Sequence, residues 1–344
     1  MLNRIRAVPM VILLIPLVAA ILLLFDPPPK YPPKKAPNAI QTALYGRLQD
    51  AGLEGDELTT VGALTLGYKE DLDPVLRRHF QASGAAHVLA VSGLHTGIIY
   101  GLLLFVLTLG GRFRPRHENR IGRWTIGLII IAVMWGYAYL TGMTPSVVRA
   151  VTMVTIVEIG RALYRFSFTL NTIASTAVLI LMVHPQSLWS VSFQLSFAAT
   201  TAIVLLTPIF MPSTQDHELE RPRVLTYLLG IITVSIAAQI GTLPITIYYF
   251  HQVSTYFLLA NLLVLPLASL LVPAGLITIA LGGTPLGVIS GKVTWALSWA
   301  MNHAVGWIEH LPGSTFPAHT NGWMVLLYYV LLLLFWAFMP KKIN

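Results

Sequence analysis

His87, Ser92 and His95 fall within nine residues of one another in an otherwise apolar stretch, and Ser146, Arg149, Gln194, Ser196, Gln239 and Asn261 interrupt similar stretches further along. A serine beside a histidine is the pairing of a nucleophile with its base. Histidines also bind metal, but His87 and His95 are eight residues apart with no carboxylate nearby, unlike the i, i+4 pair with an acidic third ligand of a helical zinc site. An arginine at the centre of a membrane helix costs about 2.5 to 3.5 kcal/mol, so Arg149 needs a partner, a wet cavity or a phosphate. The competing reading is that it lies one turn deep and snorkels to the headgroups. Gln239 and Asn261 carry amides that are costly in lipid. The Ser192, Ser196 and Thr200 stripe suits hydrogen bonding between helices as well as a pore wall.

The elements that must hold these groups are apolar helices. Residues 86 to 109 read as one span, with the three polar side chains in its first turns; at about 100° per residue Ser92 and His95 share a face and His87 lies about 80° from His95. Gly93, Gly97 and Gly101 recur every fourth residue, a flat ridge on which another helix backbone can close. Further spans are drawn at 123 to 141, 145 to 160, 169 to 183, 187 to 210, 224 to 243, 256 to 281 and 323 to 339. The span at 224 to 243 ends in the helix-interrupting residues Gly241 and Pro244. Residues 287 to 310 carry Ser290, Thr294, Ser298, Asn302, Gly306 and His310 at intervals of four, with Trp295, Trp299 and Trp307 partly opposite. This segment fits both a wall of an aqueous path and a helix in the membrane interface.

Composition agrees with that class. Over 344 residues the chain is 55% hydrophobic and 10% charged, with a mean hydropathy of +0.71, which describes a polytopic membrane protein and excludes an ordinary soluble domain. The fold class expected is all-α, a transmembrane bundle of about ten spans with short amphipathic interfacial helices. Cysteine is absent, so disulfides and thiolate-bound metals are excluded. Residues 1 to 25 hold an uncharged apolar run behind Arg4 and Arg6, read as a retained first span. Residues 26 to 85 begin with a stiff spacer and continue as interfacial helices: Asn38 caps a first, a second runs from Asp56 to Gly67, and Asp73-Pro74 opens a third. The remainder, 86 to 344, is the channel-like domain. Of the 22 basic and 14 acidic residues, Arg112, Arg114, Arg116, Arg120 and Arg123 crowd one loop and Arg161 and Arg165 another, which places both loops and the N-terminus in the cytoplasm. His87, Ser92, His95, Ser146, Arg149, Gln194, Ser196, Gln239 and Asn261 then fall in the extracytoplasmic half of the bilayer, where together they would form a hydrated vestibule. Glu158, near the cytoplasmic surface, is spaced to pair with Arg161.

The string His87-Val-Leu-Ala-Val-Ser-Gly-Leu-His-Thr-Gly97 resembles the signature of the ComEC family of competence proteins. Thr144-Pro-Ser-Val-Val-Arg-Ala150, His184-Pro-Gln-Ser-Leu-Trp-Ser-Val-Ser-Phe-Gln-Leu-Ser-Phe197, Ala238-Gln-Ile-Gly-Thr-Leu-Pro244 and Ala260-Asn-Leu262 continue the likeness in order, over roughly residues 57 to 281. The resemblance implies an inner-membrane channel that carries single-stranded DNA inward during natural transformation. It also implies partners: an extracytoplasmic DNA receptor, a cytosolic ATPase, a separate nuclease and, among the arrangements it allows, a homo-oligomer. No catalytic role or cofactor is implied for the chain itself. The family's metallo-β-lactamase-like string is not found, and Gly291-Lys292 is followed by Val293, unlike a phosphate-binding loop. A weakly polar vestibule without carboxylates suits a polyanion that must also be released. The alternative is an intramembrane serine hydrolase: Ala90-Val91-Ser92-Gly93 resembles the string around a rhomboid-type nucleophile, with His251 or His95 as base. A small-solute transporter is a third reading.

Overall fold

The computed structural model describes residues 37–89, 91–108, 120–164, 169–210 and 222–338, and these form two units. The first span expected at 1 to 25, the spacer, the basic loop at 112 to 116, Arg165 and Lys341-Lys342 lie outside the described residues. Helices dominate; the two three-residue strands, Gln252–Ser254 and Thr315–Pro317, fall where the chain passes from one unit to the other.

One unit takes Pro33–Ser167 and Ser254–Thr315. Its helices are α1 (Ala39–Asp50), α2 (Gly55–Leu66), α3 (Pro74–Ser83), α4 (Ala86–Leu89), α5 (Gly93–Leu107), α6 (Arg120–Leu140) and α7 (Pro145–Ala162), followed by the α11–α12 pair defined below. The local signals work as read. Asn38 caps α1 in a reciprocal box with Gln41, Asp73 accepts the Val75 amide at the start of α3, and Gly67 and Gly84 close α2 and α3 in the left-handed region at φ +69° and +90°.

The other unit holds α8 (Thr169–Val183), a 3-10 turn (Pro185–Trp189), α9 (Val191–Phe210), α10 (Arg223–Phe250) and α13 (Gly322–Phe338). Completing the first unit are α11 (Phe257–Leu281) and α12 (Pro285–Glu309), which pack as a hairpin against α1, α2 and α3. Small residues bring the backbones together there: Gly275 lies against Val61 and Thr65, Gly282 against Arg47, and Gly291 against the Ala51 carbonyl. Eight residues of α2 are buried, and Leu48, Leu53, Leu64 and Phe80 are fully so. Helices α1 to α3 therefore belong to the core of the unit.

The polar stripe of α12 faces this core. Asn302 accepts from the Thr60 hydroxyl at 2.9 Å, Ser298 donates to the Glu57 carbonyl at 3.1 Å, and Thr294 meets Thr278 at 2.8 Å. It binds α12 to α2 and α11, so it walls no aqueous path.

Three expectations are corrected. The span at 86 to 109 is not one helix: Ser92 takes an extended backbone, φ −118° and ψ 177°, and caps α5, leaving His87 on the separate α4. The helix expected to stop at 243 runs on to Phe250 through Pro244, because the Tyr328 hydroxyl donates to the Ile240 carbonyl that the proline leaves without an amide. The ridge of Gly93, Gly97 and Gly101 is open, with nothing within 4 Å of where a Cβ would stand on any of the three, so no helix backbone closes on it among the described residues.

Four described helices are long and apolar enough to cross a membrane, Gly122–Leu140, Val191–Phe210, Val224–Phe250 and Phe257–Leu281, and three shorter apolar ones are Gly93–Leu107, Thr169–Val183 and Gly322–Phe335. These helices mark the chain as a membrane protein.

Candidate functional site

Ser92 and His95 meet through the cap of α5. The backbone N–H of Ser92 donates to Nδ1 of His95 at 3.1 Å, the Ser92 hydroxyl lies 2.9 Å from the same nitrogen, and Ser92 Oγ accepts the Leu94 amide at 3.3 Å. Accepting a backbone N–H requires Nδ1 to be unprotonated, which puts the proton of the neutral ring on Nε2. That nitrogen is buried in a fully buried side chain and has no hydrogen-bond partner among the described residues. The arrangement is a capping box with histidine in the place usual for Glu or Gln. A serine nucleophile also needs a third group to orient its base, and none bonds Nε2 among the described residues.

The ends of three helices are gathered here. Gly67 packs against Val91 and the Thr141 carbonyl, which places the loop leading into α7 beside the residue that precedes Ser92. Ser254 donates to the Ala82 carbonyl at 2.9 Å, and Gly84 lies against Ser254 and Phe257, so α11 starts beside the segment that carries His87. Helix α5 packs directly on both α7 and α11. The three therefore begin at one end of the unit, each bearing a polar group within about two turns of its start: His95 on α5, Arg149 on α7 and Asn261 on α11. All three are buried, at 0%, 2% and 8% exposure. Arg149 thus turns into the protein, which rules out snorkelling. Ser146, one turn before it, is half-buried, and His87 is exposed.

Buried negative charge is kept apart from these. Glu158 is the only buried carboxylate among the described residues, and it lies about two and a half turns beyond Arg149 on α7. It accepts from the Tyr100 hydroxyl at 2.5 Å and from Arg161 at 2.9 Å, as its spacing predicted, although Tyr100 was not foreseen as a partner. Burial, and then the charge of Asp71, raises the pKa of the Tyr45 and Tyr68 hydroxyls, which bond Asp71. Among the described residues no group of three His, Asp or Glu side chains is placed to hold a metal ion.

In the other unit Gln194 is 3% exposed, and its Nε2 donates to the Leu188 carbonyl at 3.0 Å, tying α9 to the 3-10 turn. Its Oε1 is buried without a partner among the described residues. Ser196 and Gln239 are half-buried. Because Gly241 of α10 packs on Ala198 and Ala202 of α9, Gln239 stands about 12 Å along the bundle from Gln194, at a rise of about 1.5 Å per residue. These two amides therefore do not meet.

The Competence protein family model matches residues 64–342. The chain is 28% identical over 215 residues to ComE operon protein 3 of Bacillus subtilis, a match covering 62% of this chain and 25% of that protein. It is also 28% identical over 118 residues to an uncharacterized protein of Aquifex aeolicus, covering 34% of this chain and 25% of that one. The matches thus span about a quarter of the length of these relatives. No solved structure matches. Over four-fifths of its length, then, this chain belongs to the Competence protein family.

Proposed function

We propose that the chain is a channel of the inner membrane that passes single-stranded DNA inward during natural transformation, entered where α5, α7 and α11 begin. Family membership supports a role in DNA uptake. The observation that carries the channel reading is the placement of charge: His95, Arg149 and Asn261 are buried near the shared start of three helices, while the buried carboxylate Glu158 is held further along by Tyr100 and Arg161. A strand of phosphates needs a polar path without fixed anions, and few enough cations that it is also released.

Ten spans complete the topology: the four long apolar helices, the three shorter ones, α7, α12 and the apolar run ahead of residue 26. The N-terminus is cytoplasmic, as the arginine-rich loops require, and helices α1 to α3 line the α11–α12 hairpin from Gly84 at its outer end to Arg47 beside Gly282. The chain performs no catalysis of its own. Strand degradation, energy and DNA capture come from a nuclease, a cytosolic ATPase and an extracytoplasmic receptor.

The test is uptake of labelled DNA by cells that lack their own channel and express this chain. Uptake is expected to be restored, to fall at least about tenfold with Arg149→Ala at equal protein level, and to be partly retained with Arg149→Lys. Failure to restore uptake with folded protein in the membrane overturns the proposal.

A further inference from the structure

The face of α12 opposite its buried stripe is an aromatic ladder. Trp295 and Trp299 are 43% and 44% exposed, with ring centroids 6.5 Å apart and planes 25° from parallel. Trp299 is followed by the exposed His303, 4.0 Å away between centroids. The Nδ1–H of His303 donates to the Trp299 carbonyl at 2.9 Å, which fixes the imidazole ring before anything binds. At about 100° per residue, Lys292 and His310 fall on the same line, one at each end of the ladder; both are exposed. The helix carries one carboxylate, Glu309, and this is drawn aside onto the His79 ring of α3.

We propose that this face is a stacking track for the bases of single-stranded DNA, which rests on the channel reading above and names where in the chain the strand is held. Rings presented in series beside a cation, here Lys292, are the combination that binds a single strand without regard to sequence, because every base has a flat face and every link a phosphate. Lipid is the competing occupant of an exposed tryptophan face. It suits this one poorly: Lys292 carries a charge that hydrocarbon would penalise and His303 adds a polar ring to the same stripe, and α12 is not among the described helices apolar enough to cross a membrane on composition. A water-filled path resolves both observations, since the indoles then offer stacking surface and Lys292 remains hydrated.

The experiment compares a twelve-nucleotide thymidine strand with an abasic strand of the same length and charge, each binding the whole chain in nanodiscs. The thymidine strand is expected to bind at least about tenfold more tightly. The Trp295→Ala, Trp299→Ala double variant loses that margin with little change for the abasic strand, and the double Phe variant keeps most of it with an unchanged melting temperature. A margin that survives the double alanine change overturns the track. So does quenching of these tryptophans by brominated lipid chains at unaltered affinity for both strands, which assigns the face to the membrane. The two proposals fail differently: a wild type that restores no uptake sinks the channel reading itself, whereas restored uptake that ignores the double alanine change sinks the track alone.

Discussion

Tyr328 supplies the hydrogen bond that Pro244 denies to Ile240. Its hydroxyl donates to the Ile240 carbonyl at 2.9 Å, and the neighbouring Tyr329 donates to the Gly241 carbonyl at 2.7 Å. Tyr328→Phe should therefore lower stability by about 0.6 to 1.5 kcal/mol. In a Pro244→Ala background the helix regains its own amide at position 244, and the same change should cost measurably less. A double-mutant cycle of thermal melting reads the coupling; equal costs in both backgrounds would show that the hydroxyl does not replace the amide.

Glycines on different faces should respond oppositely to alanine. At Gly291 a Cβ would strike the Ala51 carbonyl, so a backbone must move; Gly291→Ala should cost about 1 to 3 kcal/mol, as overpacking does. At Gly97 the space is open, and Gly97→Ala should be neutral or stabilising by up to about 1 kcal/mol through helix propensity. Melting of the purified chain checks both. A substantial loss at Gly97 would mean that something closes on the ridge after all.

The caps of α1, α2 and α3 were legible because their signals are local: Asn38, Gly67, Asp73 and Gly84 act within one turn of themselves. Ser92 misled because a serine inside an apolar run looks helical, and only its extended backbone and its bond to His95 reveal a cap. Pro244 misled for the opposite reason, since the group that rescues its helix is 84 residues further on. For the site, polar residues interrupting apolar stretches were visible, and so was the separation of Glu158 from the rest. Their destinations were not: Gln194 bonds the turn six residues before it, and the stripe of α12 is spent on α2. The outward face of α12 became readable only once its inward face was fixed.

The Thr60 and Asn302 contact should show the asymmetry of a buried polar pair. Thr60→Val removes the donor to Asn302 Oδ1, while Nδ2 of the same amide already lacks a partner among the described residues. The single change should cost about 1 to 3 kcal/mol, whereas Thr60→Val combined with Asn302→Leu removes both ends of the bond and should recover most of that loss. Chemical or thermal unfolding of the three variants decides it: a double variant worse than the single one would show that the amide has a role beyond this bond.

Glu158 and Arg149 lie on one helix and should separate stability from transport. Glu158→Ala strips Tyr100 and Arg161 of their shared acceptor and should cost about 3 kcal/mol, the order expected when one member of a buried charged pair is removed. Arg161 is 56% exposed on its side chain, so water takes up part of the loss. Glu158→Gln keeps an oxygen for the Tyr100 hydroxyl and should cost about 1 kcal/mol. Neither change touches the end of α7 where Arg149 is buried, so DNA uptake per folded molecule should stay within about twofold of wild type, while Arg149→Ala lowers it at equal abundance. Uptake normalised to immunoblotted membrane protein measures this directly. A fall in normalised uptake for Glu158→Gln as large as for Arg149→Ala would place Glu158 in the path and undo the division of labour along α7.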